Sequence, residues 1–334
     1  MPVEARPRSG TLTAPVFLLG AHKSGSSLLR SLLDGHPDLC VLPAEIHYFQ
    51  LAGYWIDYRL RRALPRRMDR DAMIRSLTGF VDSENRNDDR YADSVLKGRL
   101  DPEAFAAHLE GVDLDTPAAA FTGFAHALAA SLGTPLAAGT RVVEKSVENA
   151  ENAVALRRMF PDCRFVHIVR NPYGGLVAVR RSQTKDGRFP ALADTALSFK
   201  NSYYFLFRNL DVLDNYQVLR YEDLLCESEE TMRGVAHFLD LPFSESLLEP
   251  TLLGEPWGGN STSDQTFDGI SRDPLTRWKE HITDLEIRIV NQLLAPVLDR
   301  FEYERLEPRR GTYAPVRGES FKSYLKNRAL LWIH

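Results

Sequence analysis

Between Val16 and Leu33 the chain reads VFLLGAHKSGSSLLRSLL, a buried-type apolar run, a glycine-bounded loop and an amphipathic helix in immediate succession. No other segment restricts the fold as much. A strand that feeds a tight turn into a helix points backbone N–H groups and the positive helix end at an anion. Ser24, Ser26 and Ser27 add hydroxyl donors to those amides, so the loop is expected to hold a phosphorylated ligand. A nucleoside-triphosphatase loop carries its lysine directly after the second glycine. Here Lys23 precedes Gly25, which sets this loop apart.

Further apolar runs bounded by turn residues predict buried strands at Arg141–Val143, Arg164–Val169 and Tyr216–Leu219 beside Val16–Gly20. Helical periodicity follows each of them, over Ser26–Gly35, Glu148–Phe160, Pro172–Thr184, Leu192–Leu213, Glu229–Leu239 and Asp284–Arg300. That alternation predicts an α/β fold with a doubly wound parallel sheet. From about Gln50 to Gly139 the pieces read as helical and polar with no convincing strand, so a helical insertion is expected there. The polar stretch Gly254–Asp273 is longer than ordinary connections and reads as a lid. The domain organisation is then a flexible leader (1–14), one domain (15–305) and a basic C-terminal tail (306–334).

Of 334 residues 44% are hydrophobic, enough for a full globular core. With 41 basic against 45 acidic residues and a net charge of −4, nucleic acid is an unsuitable partner. Cys40, Cys163 and Cys226 lie far apart, without metal or disulfide spacing, which fits a reducing cytoplasm. A signal-peptide pattern and a run of about 18 apolar residues are both missing, so a soluble cytoplasmic protein is expected. The arginines at 59, 61, 62, 66, 67 and 70 read as a solvated helix face or as a grip on an acidic acceptor. From Ser320 the tail SFKSYLKNRALLWIH is basic and amphipathic, a pattern suited to peripheral contact with a membrane or partner.

Downstream of the loop, HPDLCVLPAEIHYF places Glu45 and His47 just after a short strand. An alcohol is a poor nucleophile, and a positioned carboxylate or imidazole that takes its proton lowers the barrier. Farther on, Arg170 ends one strand just before the helix that Pro172 opens, at the sheet edge where doubly wound folds bind ligands.

Together these segments resemble the PAPS-dependent sulfotransferases, which move a sulfuryl group from 3′-phosphoadenosine 5′-phosphosulfate (PAPS) to an acceptor. The order His22-Lys23-Ser24-Gly25-Ser26-Ser27 resembles their 5′-phosphosulfate loop, with serines in place of threonines. Glu45-x-His47-Tyr48-Phe49 resembles the segment of heparan sulfate 3-O-sulfotransferases that carries the general-base glutamate, and protein-tyrosine sulfotransferases place a glutamate near this point. The resemblance assigns the base to Glu45; His47 either orients it or takes the proton, as histidine does in the cytosolic sulfotransferases. Arg170-Asn171-Pro172 resembles the 3′-phosphate motif, but the serine expected after it is Ala178 here, and Ser182 or Arg181 one turn on is the candidate replacement. Glu144-Lys145-Ser146 resembles the segment of carbohydrate sulfotransferases whose lysine lies by the transferring group, with Val147 in place of proline. Tyr221 in LRYEDLL matches the adenine-side tyrosine, and Arg272 in SRDPLTRWKEHI matches the basic loop that closes on the 3′-phosphate.

The resemblance implies in-line transfer from PAPS, leaving 3′-phosphoadenosine 5′-phosphate (PAP), to a small-molecule, carbohydrate or lipid hydroxyl. Lys23 and Lys145 would stabilise the charge that develops. No metal is expected, since no His/carboxylate cluster has metal spacing and a sulfuryl group carries less charge than a phosphoryl group. Two alternatives stay open: a kinase with an atypical loop, which would need Mg²⁺ and an acidic strand end, and a binding protein that retains PAPS or PAP without chemistry.

Overall fold

The computed structural model describes residues 12–52, 54–57, 62–65, 69–86, 96–112, 114–137, 139–183, 189–259, 269–309, 316 and 318–333. Its strands are β1 (Val16–Gly20), β2 (Leu39–Val41), β3 (Tyr54–Asp57), β4 (Arg62–Pro65), β5 (Arg141–Lys145), β6 (Arg164–Val169), β7 (Tyr216–Arg220), β8 (Thr251–Leu252) and β9 (Glu255–Pro256). Helices α1 (Ser26–Leu33), α2 (Tyr48–Leu51), α3 (Arg70–Arg86), α4 (Pro102–Glu110), α5 (Pro117–Ser131), α6 (Asn149–Met159) and α7 (Pro172–Gln183) lie in the first part. The second part adds α8 (Ala193–Val212), α9 (Tyr221–Cys226), α10 (Ser228–Phe238), α11 (Asp284–Leu293), α12 (Ala295–Arg300) and α13 (Phe321–Ile333).

The predicted doubly wound sheet is present, five strands in the order β2-β5-β1-β6-β7 with every pairing parallel. Parallel strands are covered on both faces, so their central residues are mostly apolar and alternate between two cores. Phe17, Leu19, Val142, Phe165 and Val169 belong to one core with α5, α6 and α8. Val16, Leu18, Val143, Val166 and Ile168 belong to the other, under α1 and α10. The Phe17 and Phe165 rings stack at 5.6 Å, and Phe121 of α5 meets Phe17 edge-on at 5.7 Å. Chain leaving β1 runs through α1 on one face, and chain leaving β5 runs through α6 on the other. Ligands of such sheets bind in the crevice where connections diverge, beyond the carboxyl ends of the strands.

The predicted strands and helices recur with ends shifted by a few residues, apart from Asp284–Arg300. That segment is two helices, α11 and α12, because Pro296 starts a new first turn and cannot continue the old one. The expectation of no strand between Gln50 and Gly139 is corrected: β3 and β4 pair antiparallel, Tyr54 with Pro65 through Asp57 with Arg62. Around them the insertion is helical, as α3, α4 and α5. Thr116 caps α5 and Asp101 caps α4, each by accepting N–H bonds from the first turn. Arg70 donates to the carbonyls of Val112 and Glu110; Arg59, Arg61, Arg66 and Arg67 lie outside the described residues, as do the side chain of Arg62 and the stretch 260–268 of the expected lid. Within the leader, Leu12 is buried and its N–H meets the Thr122 hydroxyl at 3.4 Å. Among the described residues no helix is long and apolar enough to cross a membrane.

Candidate active site

The loop after β1 leaves little choice of residue at its glycines. A Cβ on Gly20 would lie 2.4 Å from Ser24 Oγ and 2.9 Å from the Ile168 carbonyl oxygen. Gly25 has φ 100°, and a Cβ there would strike the Tyr221 ring at 2.3 Å. Lys23 itself is left-handed at φ 60°, so the turn is held against an intrinsic cost. No side chain caps the N-terminus of α1, whose first N–H groups lack intrahelical partners. Ser24 is 2% exposed, and its hydroxyl has no hydrogen-bond partner. A buried unpartnered donor beside an uncapped helix end suits an anionic phosphosulfate oxygen.

On one flank of the loop stands Arg170, at the end of β6. It donates to the Lys23 carbonyl at 2.9 Å and to the Pro274 carbonyl at 3.2 Å. Its guanidinium lies 4.7 Å over the Tyr221 ring, the first residue of α9. Burial raises the Tyr221 pKa, Arg170 and Arg277 act against that, and Glu222 adds to it. Arg277 was not singled out in the sequence, and its charge reaches the same ring. Arg272 donates to the carbonyls of Leu225 and Cys226 at the end of α9, at 3.2 and 2.8 Å. The Ser182 hydroxyl donates back to Val179 of its own helix at 2.7 Å.

On the other flank lie the carboxylate and both remaining cations. Leu42 is pinned by its N–H to the Val143 carbonyl at 2.9 Å, and Ala44 and Ile46 are buried. This anchoring sets Glu45 between them, deep among protein atoms yet with 28% of its side chain open to solvent, as on the floor of a cleft. Lys145, buried at the end of β5, donates to Glu45 Oε1. Burial opposes ionisation of Glu45, but the charge and hydrogen bond of Lys145, helped by His47 and His22, hold its pKa down to about 2. His22, exposed on the loop, senses the fields of Glu45 and Lys145. The charge of Glu45 is thus felt at His22, while the backbone carbonyl of the next residue, Lys23, accepts from Arg170.

His47 is also left-handed, at φ 45°. Two contacts hold it there: its N–H donates to Ser146 Oγ at 3.1 Å, and its Nδ1 bonds Glu148 Oε1 at 2.7 Å. Burial disfavours the imidazolium, but the hydrogen bond and charge of Glu148, with Glu45 and Glu144 behind it, raise the His47 pKa to about 9. The Glu148 partner thus favours the imidazolium form of His47. Ser146 donates in turn to Glu144, which also accepts from Asn149 and is pushed up to about 7, chiefly by burial. In the Glu144-Lys145-Ser146 segment the outer two residues thus brace the turn, and the lysine enters the site.

Nothing in the amino-acid order singles out Glu148. It sits at the N-terminus of α6, where the helix end favours a carboxylate, and it is 1% exposed with Oε2 unpartnered. Glu45, His47 and Glu148 bring ligand-type atoms within 4.8 Å of one another, a cluster that chain spacing did not reveal. Lys145 already supplies a cation to Glu45 there.

The model described as "Sulfotransferase family" matches residues 15–245, a span that contains the loop, Glu45, Lys145, Arg170, Tyr221 and all five sheet strands, and ends before Arg272 and Arg277. The chain belongs to the sulfotransferase family. Its curated relatives include protein-tyrosine sulfotransferase 1 of Danio rerio, 22% identical over 304 residues that cover 86% of this chain and 72% of the relative. Protein-tyrosine sulfotransferase 2 of Gallus gallus is 23% identical over 301 residues, covering 86% and 69%. Among solved structures, the sulfotransferase domain from the curacin biosynthetic pathway superposes with a TM-score of 0.50 at 20% identity, covering 85% of this chain and 99% of that domain. That likeness concerns the fold, and it agrees with the α/β sheet and phosphosulfate loop described above. The enzyme class is therefore that of a PAPS-dependent sulfotransferase.

Proposed function

We propose that this sulfotransferase moves the sulfuryl group of PAPS to a hydroxyl of a small-molecule, carbohydrate or lipid acceptor, with Glu45 as the general base. One juxtaposition carries the proposal: the Glu45 carboxylate and the Lys145 ammonium meet beside the loop that begins at His22. The acceptor oxygen attacks sulfur, its proton passes to Glu45, and the bond from sulfur to the 5′-phosphate oxygen of PAPS breaks. Lys23, the loop amides and the end of α1 receive the charge that returns to the leaving phosphate. Glu45 is ionised at every physiological pH but is a weak base while Lys145 holds it. A sulfonate oxygen in the cleft offers Lys145 a second partner, and a Glu45 that shares its cation is more basic. His47, already protonated, keeps Glu45 charged and oriented from 4.0 Å and does not compete for the proton.

Arg170, Tyr221 and Arg277 are the groups proposed to hold the adenosine 3′-phosphate end, with Arg272 bracing α9 beneath it. Neither Ser182 nor Arg181 is needed where Arg277 supplies the charge. The three cysteines are free thiols, in keeping with a cytoplasmic home. Transfer is expected without added divalent metal, with Lys23 and Lys145 offsetting the charge that develops. Purified protein with [³⁵S]PAPS and a panel of sugars, lipids, small phenols and tyrosine peptides tests the whole proposal. The expected result is labelled acceptor and PAP in equal amounts, undiminished by a chelator. PAPS left intact with every acceptor, or ATP-dependent labelling that needs Mg²⁺, would overturn it.

A further inference from the structure

Helix α13 has apolar side chains on two sides, and the described residues cover only one of them. Leu330 and Asn327 are buried. Asn327 accepts the Leu192 N–H at 2.7 Å and donates to Glu319 at 2.7 Å, while Gln292 donates to the Leu331 carbonyl at 3.0 Å. These bonds fix the rotation of the helix. Phe321, Leu325 and Trp332 face away, 76%, 50% and 80% exposed, and the other large apolar side chains exposed among the described residues, Tyr204 and Val212, belong to α8.

The outward side has a definite layout. At about 100° per residue, Phe321, Trp332 and Leu325 fall within roughly 40° of one another, a narrow strip some 16 Å long. Arg328 borders the strip on one side, Lys322 lies on the other with Lys326 farther round, and all three are exposed. Phe321–Ile333 contains no Asp or Glu. A central apolar strip with a terminal tryptophan and cationic margins matches the cross-section of a bilayer interface, acyl chains in the middle and anionic headgroups to either side. A second copy of the chain fits less well, since a two-fold contact through this strip would set its lysines and arginine against their own like charges.

We propose that α13 docks the enzyme on an anionic lipid bilayer, with Phe321, Leu325 and Trp332 entering the interface and Lys322, Lys326 and Arg328 on headgroups. The proposal is independent of the acceptor and of the catalytic roles above, and its test uses no turnover. Flotation of the full chain with phosphatidylcholine vesicles, with and without phosphatidylglycerol, is the measurement. Binding should be at least about tenfold stronger to the anionic vesicles, and the paired changes Leu325→Ser with Trp332→Ser, or Lys322→Glu with Lys326→Glu, should each lower it at least about tenfold. Both pairs alter exposed groups, so the melting temperature should be unchanged. Tryptophan emission should shift to the blue on binding, and Trp332→Phe should abolish the shift. Absence of flotation, equal flotation by the variants, or a dimer in sedimentation equilibrium that Trp332→Ser dissociates without any vesicle binding would each overturn it.

Discussion

Two histidines one strand end apart meet opposite fates. His167, in the middle of β6, is fully buried, and its one partner is the neutral hydroxyl of Tyr216. Burial lowers its pKa to about 3, so it is an uncharged core side chain. His47, at the cleft, keeps 40% of its side chain exposed, is paired with the buried Glu148 carboxylate and rises to about 9. Desolvation acts in the same direction on both rings; the carboxylate partner reverses the outcome. In the working region buried charge is answered by opposite charge, Lys145 with Glu45 and His47 with Glu148. In the middle of β6, His167 and its Tyr216 partner are neutral and serve packing.

The largest test of that contrast is Glu45→Gln. It keeps shape and removes the proton acceptor, so turnover should fall by ~10²–10⁴-fold while PAP affinity, measured by calorimetry, changes little. Near-normal turnover would move the base elsewhere. Lys145→Met should cost on the order of 10²–10³-fold in turnover and raise the Glu45 pKa well above about 2, since burial then acts unopposed by its main cation. Carboxyl chemical shifts followed against pH read that change directly, and an unmoved Glu45 would mean that Lys145 is not what holds it down.

Much of the working region is legible in the amino-acid order alone, for reasons that are local. The loop residues His22–Ser27 are contiguous, and strand, glycine turn and helix follow from a run of neighbours. Arg170 is legible because a strand ending before Pro172 puts it at the sheet edge whatever the rest does. Glu148 is not, because its meaning depends on His47, 101 positions away, and a glutamate before a helix reads equally well as an N-terminal charge in solvent. The β3–β4 ladder is hidden for a related reason: its register comes from pairing two short segments that have no alternating pattern of their own. Ala178 is visible as a departure, yet the nearby Ser182 bonds its own helix, and Arg277 reaches Tyr221 from a segment 56 residues along the chain, beyond the span of any motif.

A smaller effect separates the two histidines at equal pH. In Glu148→Gln the hydrogen bond to His47 can persist but the charge is gone, so the His47 pKa should fall from about 9 towards its ordinary value. In the wild type, activity that depends on the imidazolium should last until the pH rises through about 9; in the variant that alkaline limb should begin near neutrality. A purely structural Glu148 would lower turnover without moving the limb.

The smallest expected effect is on stability, and here the two rings have opposite signs. The folded state holds the His47 proton more tightly than the unfolded chain does. Its contribution is therefore complete below about 6.5 and is lost as pH rises through about 9. His167 binds its proton more weakly when folded. Stability is thus lost as pH falls from about 6.5 and levels off near 3, where both states are protonated. Subtracting the melting curve of His47→Gln from that of the wild type should leave a slope only on the alkaline side, and the same subtraction with His167→Gln a slope only on the acid side. Buried Glu144 and Glu151, raised to about 7 and about 8, add slopes of their own, but these cancel to first order in each difference. Two slopes on the same side would show that the charge at His47 is not set by Glu148, and the distinction between cleft and core would fail at the ring that defines it.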